Sequence, residues 1–319
     1  MAESKPAELT LRRNLKRKRT LISTTPLHLM LLPGVLLIFI YSYLPLFGLV
    51  IAFQKFDIYA GLSAFWTSKW VGFGNYVTLW KMGEPMRVLR NTVFIAMLKL
   101  AFGFFIPIVV ALMLNELRRK TLKRSIQTIV YLPHFLSWVL LGGVIRQLFA
   151  MDGLINNFLM QFLGREPVPF LSSNDYFIPL LIVTNIWKEF GFGTIIYLAA
   201  ITNADPSLYE AAIVDGATRW KQTLHVTVPA MIPIIILQLV LSLQNVLNAG
   251  FDQIFNLYNS NVYRTADIID TWVYRISFES QTPMYSLGSA VGLFKSVISL
   301  IFISTSYYLA YRYANYEIF

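Results

Sequence analysis

A chain of 319 residues, 56% hydrophobic and only 14% charged, departs from the roughly 25% charged content of an average soluble domain and reads as an integral membrane protein. Its net charge of +10 does not require a nucleic-acid partner, because the basic residues cluster in loops and tails beside apolar runs, where membrane topology accounts for them. With no cysteine, disulfides and thiolate metal sites are excluded.

Residues 1–26 are polar and basic, with Arg12, Arg13, Lys16, Arg17, Lys18 and Arg19 together. The apolar run that follows is too long for a signal peptide and lacks a small-residue cleavage site. The tail is therefore expected to stay on the chain, in the cytoplasm, where it can touch anionic membrane lipid. Residues 27–319 are expected to form one membrane domain. Six apolar runs, at 27–53, 91–114, 126–149, 177–201, 227–248 and 286–311, each approach or exceed the roughly 20 residues a spanning helix needs. The predicted fold is all-α, with six transmembrane helices.

The first outer loop, 54–90, is rich in aromatic residues such as Phe56, Tyr59, Phe65, Trp66, Trp70, Phe73 and Tyr76, as interfacial belts are. In the third run Gly142-Gly143 permits close helix packing, and Arg146 is an intramembrane cation. The fourth contains Asn185, Trp187, Lys188, Glu189, Phe190, Gly191 and Gly193. Polar groups at that depth usually face a bundle interior or a watery path, so Asn185, Trp187 and Lys188 are pathway candidates, with ion pairing and packing as the alternative.

Between the fourth and fifth runs lies a polar interlude, 205–233. Asp205 is placed to cap a helix and Pro206 to occupy its first position. Gly216 can take the left-handed conformation that ends this helix, and 217–225 can form a second one. Glu210-Ala211-Ala212 sets an acid beside two small residues. In the fifth run Gln238, Ser242, Asn245, Asn248 and Asp252 recur at steps of 4, 3, 3 and 4, one stripe of a continuous helix. Asn and Gln supply both donors and acceptors, as sugar hydroxyls require. The sixth run carries Lys295 and a G-x-x-x-G step at Gly288 and Gly292.

With the N-terminus inside, fifteen basic residues fall on the cytoplasmic side, including Arg118, Arg119, Lys120, Lys123, Arg124, Arg219 and Lys221. Eight fall outside: Lys55, Lys69, Lys81, Arg87, Arg90, Arg165, Arg264 and Arg275. That bias predicts N-in and C-in termini and a cytoplasmic loop at 205–226.

The series Tyr209-Glu210-Ala211-Ala212, Asp215-Gly216-Ala217, then Pro229 and Pro233, resembles the EAA loop of the permease subunits of binding-protein-dependent ABC importers. The closest likeness is to the carbohydrate class, of which the maltose permease is typical. The runs at 44–57 and 247–255 resemble its oligosaccharide branch, whose members can carry alginate or pectin fragments. The resemblance implies a coupling helix that seats on an ATPase subunit, with Tyr209, Glu210, Ala211, Ala212, Asp215, Gly216, Ala217 and Pro229 as the coupling residues. It also implies a second permease subunit, two ATPase subunits, an extracytoplasmic solute-binding protein and an oligosaccharide substrate in a bacterial inner membrane. Family substrate-lining positions fall near Asn245, Asn248 and Asp252.

No catalytic residue is predicted. The chain has no Gly-Lys pair, hence no phosphate-cradling G-x-x-x-x-G-K-[ST] loop; ATP and Mg²⁺ are expected only on partner subunits. His28, His134 and His225 are far apart, no G-x-S-x-G elbow occurs, and no metal site is predicted. The alternative is a membrane-embedded sensor or enzyme whose cytoplasmic loop docks a regulatory protein.

Overall fold

The computed structural model describes residues 24–244 and 246–314. The basic cluster of the tail and the candidate Asn245 lie outside the described residues. The chain forms two compact units, one ending at Gly72 and one starting at Phe73.

In the first unit, helix α1 (Thr24–Phe53) is apolar and exposed along nearly its whole length. A two-residue hairpin follows, strand β1 (Gln54–Lys55) pairing antiparallel with β2 (Lys69–Trp70). Gln54 is buried and donates to the Phe65 carbonyl at 3.1 Å, and Phe53 stacks on Trp70.

The second unit contains α2 (Gly74–Lys81), α3 (Glu84–Glu116), α4 (Lys120–Tyr131), α5 (Trp138–Leu148), α6 (Leu154–Leu163) and α7 (Asn174–Thr202). Then come α8 (Pro206–Val214), α9 (Arg219–Leu243), α10 (Phe251–Leu257), α11 (Ile269–Tyr274) and α12 (Tyr285–Ala314). Among the described residues four helices, α1, α3, α9 and α12, are long and apolar enough to cross a membrane, and the bent pair α4–α5 makes a fifth if it counts as one span. Helix α7 has the length, 29 residues, but Asn185, Lys188 and Glu189 dilute its apolar run.

The run predicted as a straight third span is broken. Helix α4 continues through a 3-10 turn to Phe135, Leu136 is extended, and α5 leaves at 101°. Two residues account for this: Pro133 cannot donate to the preceding turn, and Ser137 starts a new helix by accepting from the Leu140 amide at 3.3 Å. The fifth span also differs from expectation. Helix α9 ends by Gln244 and the chain turns through Gly250, at φ 91°, before α10 begins.

Helix α9 contains a π-helical turn at Thr223–Thr227, in which the Val228 amide reaches the Thr223 carbonyl. The same device, Phe39–Tyr43 with Leu44 bonding to Phe39, occurs in α1. Each turn ends two residues before a proline, Pro229 or Pro45. Proline in a regular helix clashes with the carbonyl four residues back and leaves it without a donor. A single wide turn shifts that carbonyl aside, so the helix passes the proline without breaking.

Among the described residues, two apolar clusters stand out in the second unit. One joins Ile95 and Ala96 of α3, Leu141 and Ile145 of α5, and Phe177, Leu180 and Leu181 of α7 to the segment 246–268. The other joins Ala111 and Leu114 of α3, Tyr197, Leu198 and Ile201 of α7, and Met231 of α9. Glycines set the close approaches. Gly191 meets the Val130 backbone carbonyl, and Gly142 faces Asn256. Both act as packing positions; the functional groups lie elsewhere on the same helices.

Candidate functional site

Two places stand out, the knuckle at 205–227 and a cavity along α3, α7 and α9.

In the knuckle, Asp205 accepts from the Ser207 amide at 2.9 Å. This bond and the small polar contact beside it hold the Asp205 carboxyl below the ordinary carboxylate range. Pro206 stands at the first helical position, and α8 has no buried residue. The helix ends at Gly216, φ 73°, where the Gly216 amide reaches the Ile213 carbonyl at 3.0 Å and the Ala217 amide the Ala212 carbonyl at 2.8 Å. This is the left-handed closure expected of glycine. The second helix starts at Arg219, capped by Thr218, and runs unbroken into α9, where the sequence had suggested a separate short helix.

Two ties hold the knuckle on the bundle. The Tyr209 hydroxyl lies 3.0 Å from that of Thr227, and the Thr223 hydroxyl and Arg219 meet the Glu116 carboxylate at 3.5 and 3.7 Å. Glu210, Ala211 and Asp215 are exposed, while Ala212 and Ala217 are half-buried. Leu208, Ile213, Val214 and Trp220 are exposed as well, at 52%, 62%, 87% and 69%. Four large apolar side chains are therefore exposed on this one short loop. Pro229 is exposed on α9, two residues past the π turn.

The cavity measures about 610 Å³. Helix α7 contributes Asn185, Glu189, Phe192, Gly193 and Ile196, spaced as one helical face. Lys99, Gly103 and Pro107 come from α3, Gln238 and Ser242 from α9, and Asn248 and Gly250 from the segment beyond it. His134, from the turn before α5, lies on the wall with its Nδ1 2.8 Å from Glu189 and its ring stacked on Phe192 at 4.2 Å. Glu189 also meets Lys188 at 3.2 Å.

The predicted pathway residues divide. Asn185 and Asn248 line the cavity, as do Gln238 and Ser242. Trp187 does not: it lies 46% exposed on another face of α7, because two residues along a helix rotate the side chain by about 200°. Lys188 is buried away from the wall, donates to the His134 carbonyl at 2.8 Å and sits over the Trp138 ring. Asp252 is exposed in the first turn of α10, where a carboxylate is favoured by the helix dipole. The proposed stripe from Gln238 to Asp252 fails as a single helix face, since α9 stops short of Asn248. Lys295 bonds both Asp270 oxygens at 2.7 Å, and Arg146 is exposed at the end of α5, so neither lines the cavity.

Sequence reasoning missed Lys99, His134 and Gln253. The Lys99 amine donates to the Ala249 carbonyl at 2.7 Å and to Gln253 Oε1 at 2.5 Å. Gln253, fully buried, donates in turn to the Leu181 carbonyl and the Thr184 hydroxyl, both at 2.8 Å. A lysine in the middle of an apolar run was the available signal.

Residues 103–315 match the family model described as the binding-protein-dependent transport system inner membrane component. The chain belongs to this family. It is a multi-pass membrane permease, a transport subunit and not an enzyme. The permease is 42% identical to Protein LplB of Bacillus subtilis (strain 168), over 92% of this chain and 91% of that protein. It is 39% identical to the polygalacturonan/rhamnogalacturonan transport system permease protein YteP of the same strain, covering 95% and 94%. Its fold matches a chain of a bacterial ABC transporter involved in the import of the acidic polysaccharide alginate. There the TM-score is 0.85 and the identity 37%, over 93% of the permease and 99% of that chain. A chain of a bacterial alginate ABC transporter in complex with an alginate pentasaccharide-bound periplasmic protein also matches, with a TM-score of 0.83 and 37% identity.

Proposed function

We propose that this permease forms half of the translocation pathway of an ATP-driven oligosaccharide importer. A second, homologous permease subunit supplies the other half, two ATPase subunits bind and hydrolyse ATP with Mg²⁺, and an extracytoplasmic solute-binding protein delivers the sugar. The chain itself binds no cofactor. Both termini and the knuckle lie in the cytoplasm, in a bacterial inner membrane. The observation that carries this reading is the knuckle: a capped, exposed helix closed by a left-handed glycine, bearing Glu210 among apolar side chains, and continuous with helices that line a polar cavity.

Tyr209, Glu210, Ala211, Ala212, Asp215, Gly216 and Ala217 form the ATPase-coupling surface, with the small alanines letting the α8 backbone seat closely. Pro229 and its π turn set the exit into α9. Amide side chains at Asn185, Asn248 and Gln238 offer donors and acceptors for hydroxyls, and the stacked His134–Phe192 pair offers a flat surface for a sugar ring. The names of the relatives above support a polysaccharide fragment as substrate.

The test is ATPase activity of the purified assembly in lipid with its binding protein loaded by neutral and by uronic-acid oligosaccharides. Stimulation by an oligosaccharide-loaded binding protein is the expected result. An intact assembly that no oligosaccharide stimulates would overturn the reading and favour a docking loop on a membrane-embedded sensor or enzyme.

A further inference from the structure

We propose that Lys99 is the charge-selecting residue of the cavity, binding carboxylates of an acidic oligosaccharide as it passes; this rests on the oligosaccharide-importer reading above. Lys99 projects from α3 into the cavity wall and makes two hydrogen bonds, to the Ala249 carbonyl and the Gln253 side-chain oxygen. Both acceptors are neutral, and among the described residues Lys99 forms no ion pair. The one acid on the cavity wall, Glu189, is already engaged by Lys188 at 3.2 Å and His134 at 2.8 Å. Lys188 and Glu189 neutralise each other, which leaves the cavity with one cation lacking a contacting counter-ion. A cation in a membrane-embedded wall is expensive, and such residues mark substrate or ion pathways.

The surroundings are built around this amine. The end of α9 turns back so that Ala249 and Gly250 enclose it. A Cβ on Gly250 would fall 2.5 Å from the Lys99 nitrogen, and Gly250 also holds φ 91°, so a side chain there is disfavoured by conformation and by space together. Gln253 is oriented by its bonds to Leu181 and Thr184, which direct its oxygen at Lys99. Neutral acceptors position the ammonium without cancelling its charge. Glu189 acts on Lys99 across the cavity without contacting it, so a carboxylate on the substrate would find an oriented donor whose hydrogen bonds go only to neutral groups.

The experiment compares uptake of an oligogalacturonate with uptake of the same oligosaccharide carrying methyl-esterified carboxyls. It uses the complete assembly with its binding protein in proteoliposomes. Wild type should favour the acid. Lys99→Gln should reduce the acid-to-ester uptake ratio by about tenfold, the scale of one charge-assisted hydrogen bond, whereas Lys99→Arg should keep the preference. Gln253→Glu supplies a resident carboxylate of nearly the same shape and should also collapse the ratio, with Lys99 still present. An unchanged ratio in assembled Lys99→Gln or in Gln253→Glu would overturn the proposal, as would a wild type that imports the ester as well as the acid. A wild type that imports neither, and is stimulated by no oligosaccharide, would instead overturn the importer reading.

Discussion

Gly216 gives the sharpest test of the coupling assignment, because the strain of replacing it is separable from steric clash. It holds φ 73° with no heavy atom within 4 Å of where a Cβ would stand. The cost of a side chain is therefore conformational, about 1–2 kcal/mol for an ordinary L-residue in the left-handed region, and smaller for asparagine or aspartate. A penalty of that size depopulates the closed turn by a factor of roughly 5–30. If the ATPase seats only on the closed knuckle, its apparent affinity falls by the same factor. The measurement is substrate transported per ATP hydrolysed in proteoliposomes, with the whole assembly present. Gly216→Asn should stay near wild type, Gly216→Ala should fall several-fold, and Gly216→Val, β-branched, should fall further. Gly216→Asp tolerates the same conformation as asparagine, so any excess loss over Gly216→Asn measures the added charge beside Asp215. Alanine and valine variants that insert normally and couple as well as wild type would refute the reasoning.

Other outcomes follow from neighbouring contacts. Glu210→Lys reverses an exposed charge on the seating face and should reduce binding-protein-stimulated ATPase activity while leaving membrane insertion intact, checked by copurification of the subunits. The Asp205 carboxylate is held below its ordinary range by the Ser207 amide, so its cap is fully present above that range and is lost as pH falls through the depressed value. Protection of the Ser207 amide from exchange, corrected for the intrinsic rate, should drop there, and should persist in Asp205→Asn. In the segment between α10 and α12, Asp267 has no solvent exposure and bonds Arg275 at 2.5 Å. Asp267→Asn leaves a largely buried guanidinium without its anion and should lower stability by about 3 kcal/mol, read as an earlier thermal unfolding midpoint. Asn248→Ala and Gln238→Ala should raise the apparent transport KM several-fold, and unchanged values would remove them from the pathway.

The knuckle was legible because its signals are local. An N-cap aspartate, a following proline, and a glycine at the helix end act within a few residues of themselves, and the structure places each as the pattern predicts. The breaks in the third and fifth runs were not legible in the same way. Hydropathy continues across Pro133–Ser137 and across Asn248, and an apolar run alone does not say whether its backbone stays helical. Past α9 the Val246 amide turns back to the Leu243 carbonyl and Ala249 is held by Lys99, a contact between residues 150 positions apart. The cavity wall was half legible for a related reason. Helical spacing put Asn185 on a face, but Trp187 and Lys188 are on other faces of the same helix, and only the packing of α3 and α9 against α7 decides which face looks inward.

The link between the two sites lies in the helices that join them. Helix α7 runs from Asn185 on the cavity wall to Thr202 at the knuckle, about 26 Å at 1.5 Å per residue, and α9 runs about 28 Å from Arg219 to Gln238. Both are uninterrupted over those distances, and the π turn before Pro229 preserves continuity where a proline would otherwise form a hinge. Between cavity and knuckle the two helices and α3 share the apolar cluster of Ala111, Leu114, Tyr197, Ile201 and Met231. A close-packed cluster repacks between discrete arrangements and does not stretch. Displacement of the knuckle by a partner would therefore reach the cavity as movement of whole helices. The segment from Ala249 to Gln253 is held to α3 by Lys99 and to α7 by Gln253. Removing those bonds should change which state the cavity prefers even with the knuckle intact, so basal ATPase activity without substrate is the quantity in which Lys99→Gln and Gly216→Val are expected to differ.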